Sequence, residues 1–279
     1  MKVGKFFAML SIFVMVSAAV FADEAYDVMK KFTTLDVPDF SQATLNLEII
    51  EKNGKVEKRT MMQYGRKVNG LVATVFDFKS PANVKDTRVL QSEKSEKDDD
   101  RWIYLPELKT SRRIPTAERS KQFVGCEFTY NDMSIRHVDD DTHEMISPNE
   151  SITINGSTNG ANYGSATYNC WKIKSTPKKK SEVEYSFRYS WIDKNTYLPV
   201  KMEYYDKKDP NVLLKTFIIE KIDNVKGESG KNYVLRRSCF IENHKTGRKT
   251  RVMAANEVFD KKLSAGYFTQ NWLQTGKAK

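Results

Sequence analysis

Residues 183–204 read VEYSFRYSWIDKNTYLPVKMEY. Val183, Tyr185, Phe187, Tyr189 and Trp191 fall on one phase of a period of two, with Glu184, Ser186, Arg188 and Ser190 on the other. After Asp193-Lys194-Asn195 the alternation resumes as Leu198, Val200, Met202 and Tyr204, interleaved with Lys201 and Glu203. This pattern is an antiparallel hairpin with one aromatic face and one charged face.

The same period runs outward from the hairpin in both directions. Upstream, Leu45, Leu47 and Ile49 alternate with Asn46 and Glu48, and Asn53-Gly54 turns the chain into a strand over Val56–Tyr64. Leu71–Phe78 reads as a mixed apolar strand, and short strands Arg101–Leu105 and Ser111–Ile114 flank Pro106. Downstream, Leu213–Ile222, Tyr233–Glu242 and Thr250–Val258 continue the pattern. The count is about ten strands at the 8–12 residue spacing of sandwiches and barrels. Two short helices bracket them. Tyr26, Met29, Phe32 and Leu35 recur every three residues until Pro38, and Phe268, Trp272 and Leu273 form a stripe near the carboxyl end.

Residues 1–22, MKVGKFFAMLSIFVMVSAAVFA, have the form of a secretory signal. Lys2 and Lys5 make the positive start, Phe6 to Val20 is uncharged, and Val20 and Ala22 sit at −3 and −1 of a cleavage site. An uncleaved anchor is the alternative, since Phe6 to Ala22 just suffices to span. With no linker or composition step, residues 23–279 read as one domain, in the periplasm or the exterior. Losing Lys2 and Lys5 leaves 44 basic residues against 36 acidic, a net charge of +8.

Most chemistries find no support. The sequence has no HExxH, GxSxG, Walker or GxGxxG motif, so no catalysis and no cofactor are expected. His137 to His143 is the one metal-like cluster, but it lacks standard ligand spacing and reads as a polar connecting loop. The runs Glu93–Asp100 and Lys178–Lys180 read as solvated loops. Cys126, Cys170 and Cys239 are too few for a disulfide framework and read as buried thiols. Basic residues cluster at Arg112, Arg113, Arg119 and Lys121, and again from Arg236 to Arg251. Neither cluster has the aromatic interleaving of an RNA-reading sheet, so nucleic acid gives way to anionic lipid headgroups or an acidic protein. An outer-membrane barrel is disfavoured, because Lys and Arg occupy both phases, as at Arg236 and Arg237.

Residues 98–114, DDDRWIYLPELKTSRRI, resemble the WxYLP…RRI core of bacterial outer-membrane lipoprotein-sorting proteins, a LolA-like family. Phe123-Val-Gly-Cys-Glu-Phe128-Thr-Tyr130-Asn-Asp132 is similar to that family's F-x-G-x-[DE]-F-x-Y-x-D stretch, although Cys126 replaces a small residue and Glu127 a frequent Asp. Trp191 to Lys201, Glu203 to Asp206, Asn243 to Thr250 and Phe268 extend the likeness over most of the chain. The resemblance implies a mainly β fold: an unclosed, curved antiparallel half-barrel with helices covering its concave face. It implies a periplasmic carrier of lipoprotein or lipid acyl chains, working between membranes with transient membrane-surface contact. Members of this branch are often associated with inner-membrane transporters of the resistance-nodulation-division type. An accessory protein docking on such a transporter is therefore the alternative.

A carrier must hide a 16-carbon chain whose burial is worth on the order of 12 kcal/mol. An inward face bearing Tyr185, Phe187, Tyr189, Trp191, Met202 and Tyr204 would suit. Trp102, Tyr104 and Leu105 are further candidates for the apolar lining, and Arg112 and Arg113 for a headgroup contact. Two readings stay open for all of these: ligand lining, or a packed core with ordinary surface charge.

Overall fold

The computed structural model describes residues 23–95, 99–134, 136–157 and 161–278. The signal-like residues 1–22 therefore lie outside the described residues. Thirteen strands form one antiparallel sheet in the order β6-β5-β4-β3-β2-β1-β13-β12-β11-β10-β9-β8-β7. The first half comprises β1 (Phe40–Ile50), β2 (Val56–Val68), β3 (Leu71–Ser80), β4 (Arg88–Ser92), β5 (Asp100–Leu105) and β6 (Thr110–Arg113). The second comprises β7 (Asp141–Asn155), β8 (Ser165–Pro177), β9 (Tyr185–Asp193), β10 (Pro199–Asp206), β11 (Leu213–Lys226), β12 (Asn232–Asn243) and β13 (Lys249–Phe259). The sheet is a meander in two halves, joined where β1 pairs with β13. Its edges, β6 and β7, do not pair, so the sheet is curved but unclosed.

A crossover, residues 114–140, connects the two edges over the inner face. It sends Ile114, Phe123, Cys126, Phe128 and Tyr130 into the main core beside Leu45, Phe76 and Phe217. Helix α1 (residues 23–33) packs on the same face through Ala25, Val28 and Met29, against Ile173 and Ile192. Helix α2 (Gln270–Thr275) goes elsewhere. Its Trp272 and Leu273 cover Ala73, Val75 and Leu90 on the outer face. Among the described residues no helix is long and apolar enough to cross a membrane.

Two turns that share a chemistry fix the second half of the sheet. Asp193 accepts from the backbone N and the Oγ1 of Thr196, at 2.9 and 2.8 Å, and Tyr197 follows at φ +56°. Asn243 accepts from the backbone N of Lys245 and Thr246, and Gly247 follows at φ +71°. Both are Asx turns closed by a left-handed residue. The second uses the expected glycine. The first places Tyr197 there, where its ring stacks on Trp171 at 5.4 Å.

Three expectations change. His137 to His143 is not merely a loop, because β7 starts at Asp141 and the Asp141 side chain is buried. Of Glu93–Asp100, residues 96–98 lie outside the described residues, and Asp99 and Asp100 are half-buried, pairing with Arg101 and with Lys94 and Arg113. The basic residues from Arg237 to Arg251 are mostly neutralised within the fold. Arg237 binds Asp223 and Glu257, Arg248 binds Glu51 and Glu127, and Arg251 binds Glu48 and Glu220.

Candidate functional site

Between the inner face, α1 and the crossover lies a cavity of about 540 Å³. Its apolar lining comes from both halves of the sheet, with Leu45, Phe76, Phe217 and Ala254 on strands and Phe128 on the crossover. Alternation brings these together: inner-face positions on β1, β3, β11 and β13 are apolar, and curvature converges them. Arg66, Val234 and Arg236 line its less buried parts.

The sequence-predicted lining divides between the two faces. Tyr185, Met202 and Tyr204 line the cavity. Phe187, Tyr189 and Trp191 do not, which corrects the single-face assignment. The cause is a bulge. On β10, Tyr205 pairs with Phe187 but Asp206 with Tyr185, so Ser186 is an extra residue and the phase flips across it. Arg188 and Ser190 thereby take the inner face opposite Tyr204 and Met202.

On the outer face Phe187 stacks on Tyr205 at 4.6 Å, and Trp191 Nε1 donates to Glu150 at 2.8 Å. Lys174 lies 4.7 Å above Phe187, and Lys172 and Lys201 lie 4.7 and 4.5 Å from the Trp191 ring. Trp102 and Tyr104 pack beneath α2 with the outer-face cluster, while Leu105 packs against the main core. Arg112 binds Glu118 at 3.0 Å and Arg113 binds Asp100 at 2.9 Å, both outside the cavity lining.

The polar side of the cavity carries groups that periodicity does not single out. Asp141 accepts from Arg136 Nε at 2.8 Å and from Arg188 Nη2 at 3.2 Å, and Arg188 Nη1 donates to the Tyr185 hydroxyl at 3.1 Å. Burial pushes the Tyr185 hydroxyl up to about 12 against the pull of Arg188. Burial likewise raises Tyr204 well above the ordinary phenol range, so both stay neutral phenols. Glu184 is raised by burial and faces Lys215 at 3.2 Å. Gln91, Arg101 and Arg119 complete this side. A sequence signal existed for Arg101, which shares the inward phase of Ile103 and Leu105.

The His143–Ser175 pair lies away from the cavity lining. His143 Nε2 meets the Val138 carbonyl at 2.9 Å and Nδ1 meets Ser175 Oγ at 2.9 Å, so the ring accepts from the serine. Ser175 is fully buried, however, and neither group lines the cavity. All three cysteines are free, and burial pushes Cys126 and Cys170 up to about 12 and Cys239 to about 11, where they stay protonated. Among the described residues no group of three His, Cys, Asp or Glu is placed to hold a metal.

Comparison with known proteins agrees with this architecture. A structure of a DUF1329 family protein from Desulfovibrio piger is 25% identical, with a TM-score of 0.76 over 91% of this chain and 99% of that one. A putative outer membrane lipoprotein-sorting protein domain from Vibrio parahaemolyticus has the same identity, TM-score and coverage. A LolA superfamily protein from Nitrosomonas europaea shares the fold at 16% identity, with a TM-score of 0.62 over 90% of this chain and 99% of that one. No curated protein sequence matches the chain. Residues 70–275 match a family model described as "uncharacterized protein". The chain belongs to that family, and it shares its fold with the LolA superfamily protein and with the structure described as a lipoprotein-sorting domain.

Proposed function

We propose that the protein is a periplasmic carrier that shelters acyl chains of lipoproteins or lipids in its cavity during transfer between membranes, without catalysing a reaction. The observation that carries this reading is the cavity itself. At about 540 Å³ it falls within the range of small-molecule sites, about 300–1,000 Å³. Apolar side chains from both halves of the sheet line part of it, so the stretch of an acyl chain lying against them would leave water. Met202, adaptable in shape, suits a cargo of variable chain length. The fold neighbour described as a lipoprotein-sorting domain supports the same reading.

Titration with N-phenyl-1-naphthylamine, an uncharged probe that fluoresces in apolar surroundings, tests it. Saturable enhancement near one probe per chain is expected, with competition by long-chain lipids. No enhancement would refute the reading.

A specific observation favours a second role beside it. The half-buried outer-face rings of Phe187 and Tyr205, with Lys174 over Phe187, form an aromatic and cationic patch of the kind that docks on a membrane or a transporter.

A further inference from the structure

We infer that the cavity wall formed by β4, β5 and the crossover binds the anionic head of an amphiphile, a carboxylate or a phosphate, through Gln91, Arg101 and Arg119. The inference rests on the carrier reading and adds a charge to the cargo.

Gln91 and Arg101 are direct cross-strand partners, so their side chains leave the inner face side by side. Arg119 reaches the same place from the crossover. Its Nη2 donates to the Asp99 carbonyl, and its own carbonyl accepts from Asn131 N at 3.0 Å. Asn131 Oδ1 in turn accepts from Arg101 Nη1 at 3.3 Å, which ties the three together. Gln91, Arg101 and Arg119 are 6, 5 and 8% exposed, and all line the cavity.

Two of these donors lack an acceptor. Gln91 Nε2 and Arg119 Nε are both buried without a hydrogen-bond partner. Buried N–H groups in this state are costly, and two side by side on one stretch of wall mark a missing acceptor there. The charges point the same way. Asp99 pairs with Arg101 at 3.5 Å, and among the described residues no carboxylate ion-pairs with Arg119. Arg188 Nε, elsewhere in the lining, also lacks a partner, but Arg188 and Arg136 differ in that Asp141 ion-pairs with both directly. Guanidinium groups suit carboxylates and phosphates in geometry and in charge. Phe76, which lines the cavity on β3 beyond Thr74, the cross-strand partner of Gln91, starts the apolar path for the tail.

Competition against bound N-phenyl-1-naphthylamine tests this on the whole chain, with palmitate, hexadecanol and a single-chain phosphatidylglycerol as competitors. Both anions are expected to displace the probe at concentrations on the order of 10-fold lower than hexadecanol, as a charge-assisted hydrogen bond implies. The better of the two identifies the source, a fatty-acid carboxylate or a lipid phosphate. Arg119→Gln should bring the anions to within about 3-fold of hexadecanol. Equal displacement by all three from the wild-type chain would overturn the inference, with water as the missing acceptor, and leave the carrier reading standing. Failure of the probe to bind at all would overturn both. The wild-type comparison needs no variant to fold.

Discussion

The Glu127 carboxylate, fully buried on the crossover, accepts from Arg248 Nη1 at 2.8 Å across the strand ends of β12 and β13. Gln122 Nε2 and Asn243 Nδ2 donate to the same carboxylate at 2.8 Å each. Two stretches far apart in sequence, Phe123–Asp132 and Asn243–Thr250, thereby become one latch that holds the crossover over the cavity. Backbone N of Glu127 adds a bond to Thr250 Oγ1 at 3.0 Å, and Lys215 Nζ donates to its carbonyl at 3.2 Å.

Replacing Glu127 with Gln therefore leaves Arg248 without its buried partner. The expected loss of stability is about 2 kcal/mol, below the range for a fully buried pair because Arg248 is partly exposed and keeps Glu51. Urea unfolding of E127Q checks this, and a loss under about 0.5 kcal/mol would show that the latch is not energetically significant.

Asp141 is the comparable anchor behind the cavity wall, where it holds the lining residues Arg136 and Arg188. Asp141→Asn removes the negative charge shared by Arg136 and Arg188, and about 3 kcal/mol of stability should go with it. If D141N unfolds at the wild-type urea midpoint, Asp141 does not hold the two arginines.

Acid sensitivity follows from Asp206 at the end of β10. A hydrogen bond from Lys245, helped by the backbone N–H groups of Asp209 and Lys208, lowers its pKa to about 2. A carboxylate depressed in the folded state adds stability above its unfolded pKa of about 3.9 and loses it as pH falls through the folded value. Lys245 is half exposed, so the pair contributes about 1 kcal/mol after solvent screening. Stability measured from pH 5 to pH 2 should fall less steeply in Asp206→Asn than in the wild type. Parallel curves would contradict the assignment.

The division of the aromatics between two faces gives a direct contrast. Met202→Trp adds bulk inside the cavity and should weaken probe uptake on the order of 10-fold, as space for the ligand is lost. Tyr189→Ser lies on the outer face and should leave uptake within about 2-fold, because surface changes rarely reach a distant site. The reverse order of effects would place the bulge, and hence the faces, wrongly.

Much of this architecture is legible in the sequence, and the parts that are not have physical reasons. Asn53-Gly54 and the alternation of β1, β2, β12 and β13 locate the central strands, because each has one buried and one wetter face. Strand β4 carries no alternation, since α2 covers one side of it and the core the other. Strand β7 contains Pro148, which is tolerated there because β7 is an edge, and its exposed polar residues look like a loop. The phase flip at Ser186 is invisible to any period-two reading, and so the aromatic run looks one-sided. The polar wall of the cavity was hardest to see: Gln91, Arg119 and Arg188 acquire meaning only when three remote segments meet.

Native mass spectrometry of the chain purified from an envelope fraction, with analysis of the lipids extracted from it, tests the central claim most directly. The account predicts acyl-chain lipid or lipopeptide held at about one per chain, removed by delipidation and restored by adding it back. A chain that stays lipid-free, and takes up no acyl lipid when offered it, would contradict the account.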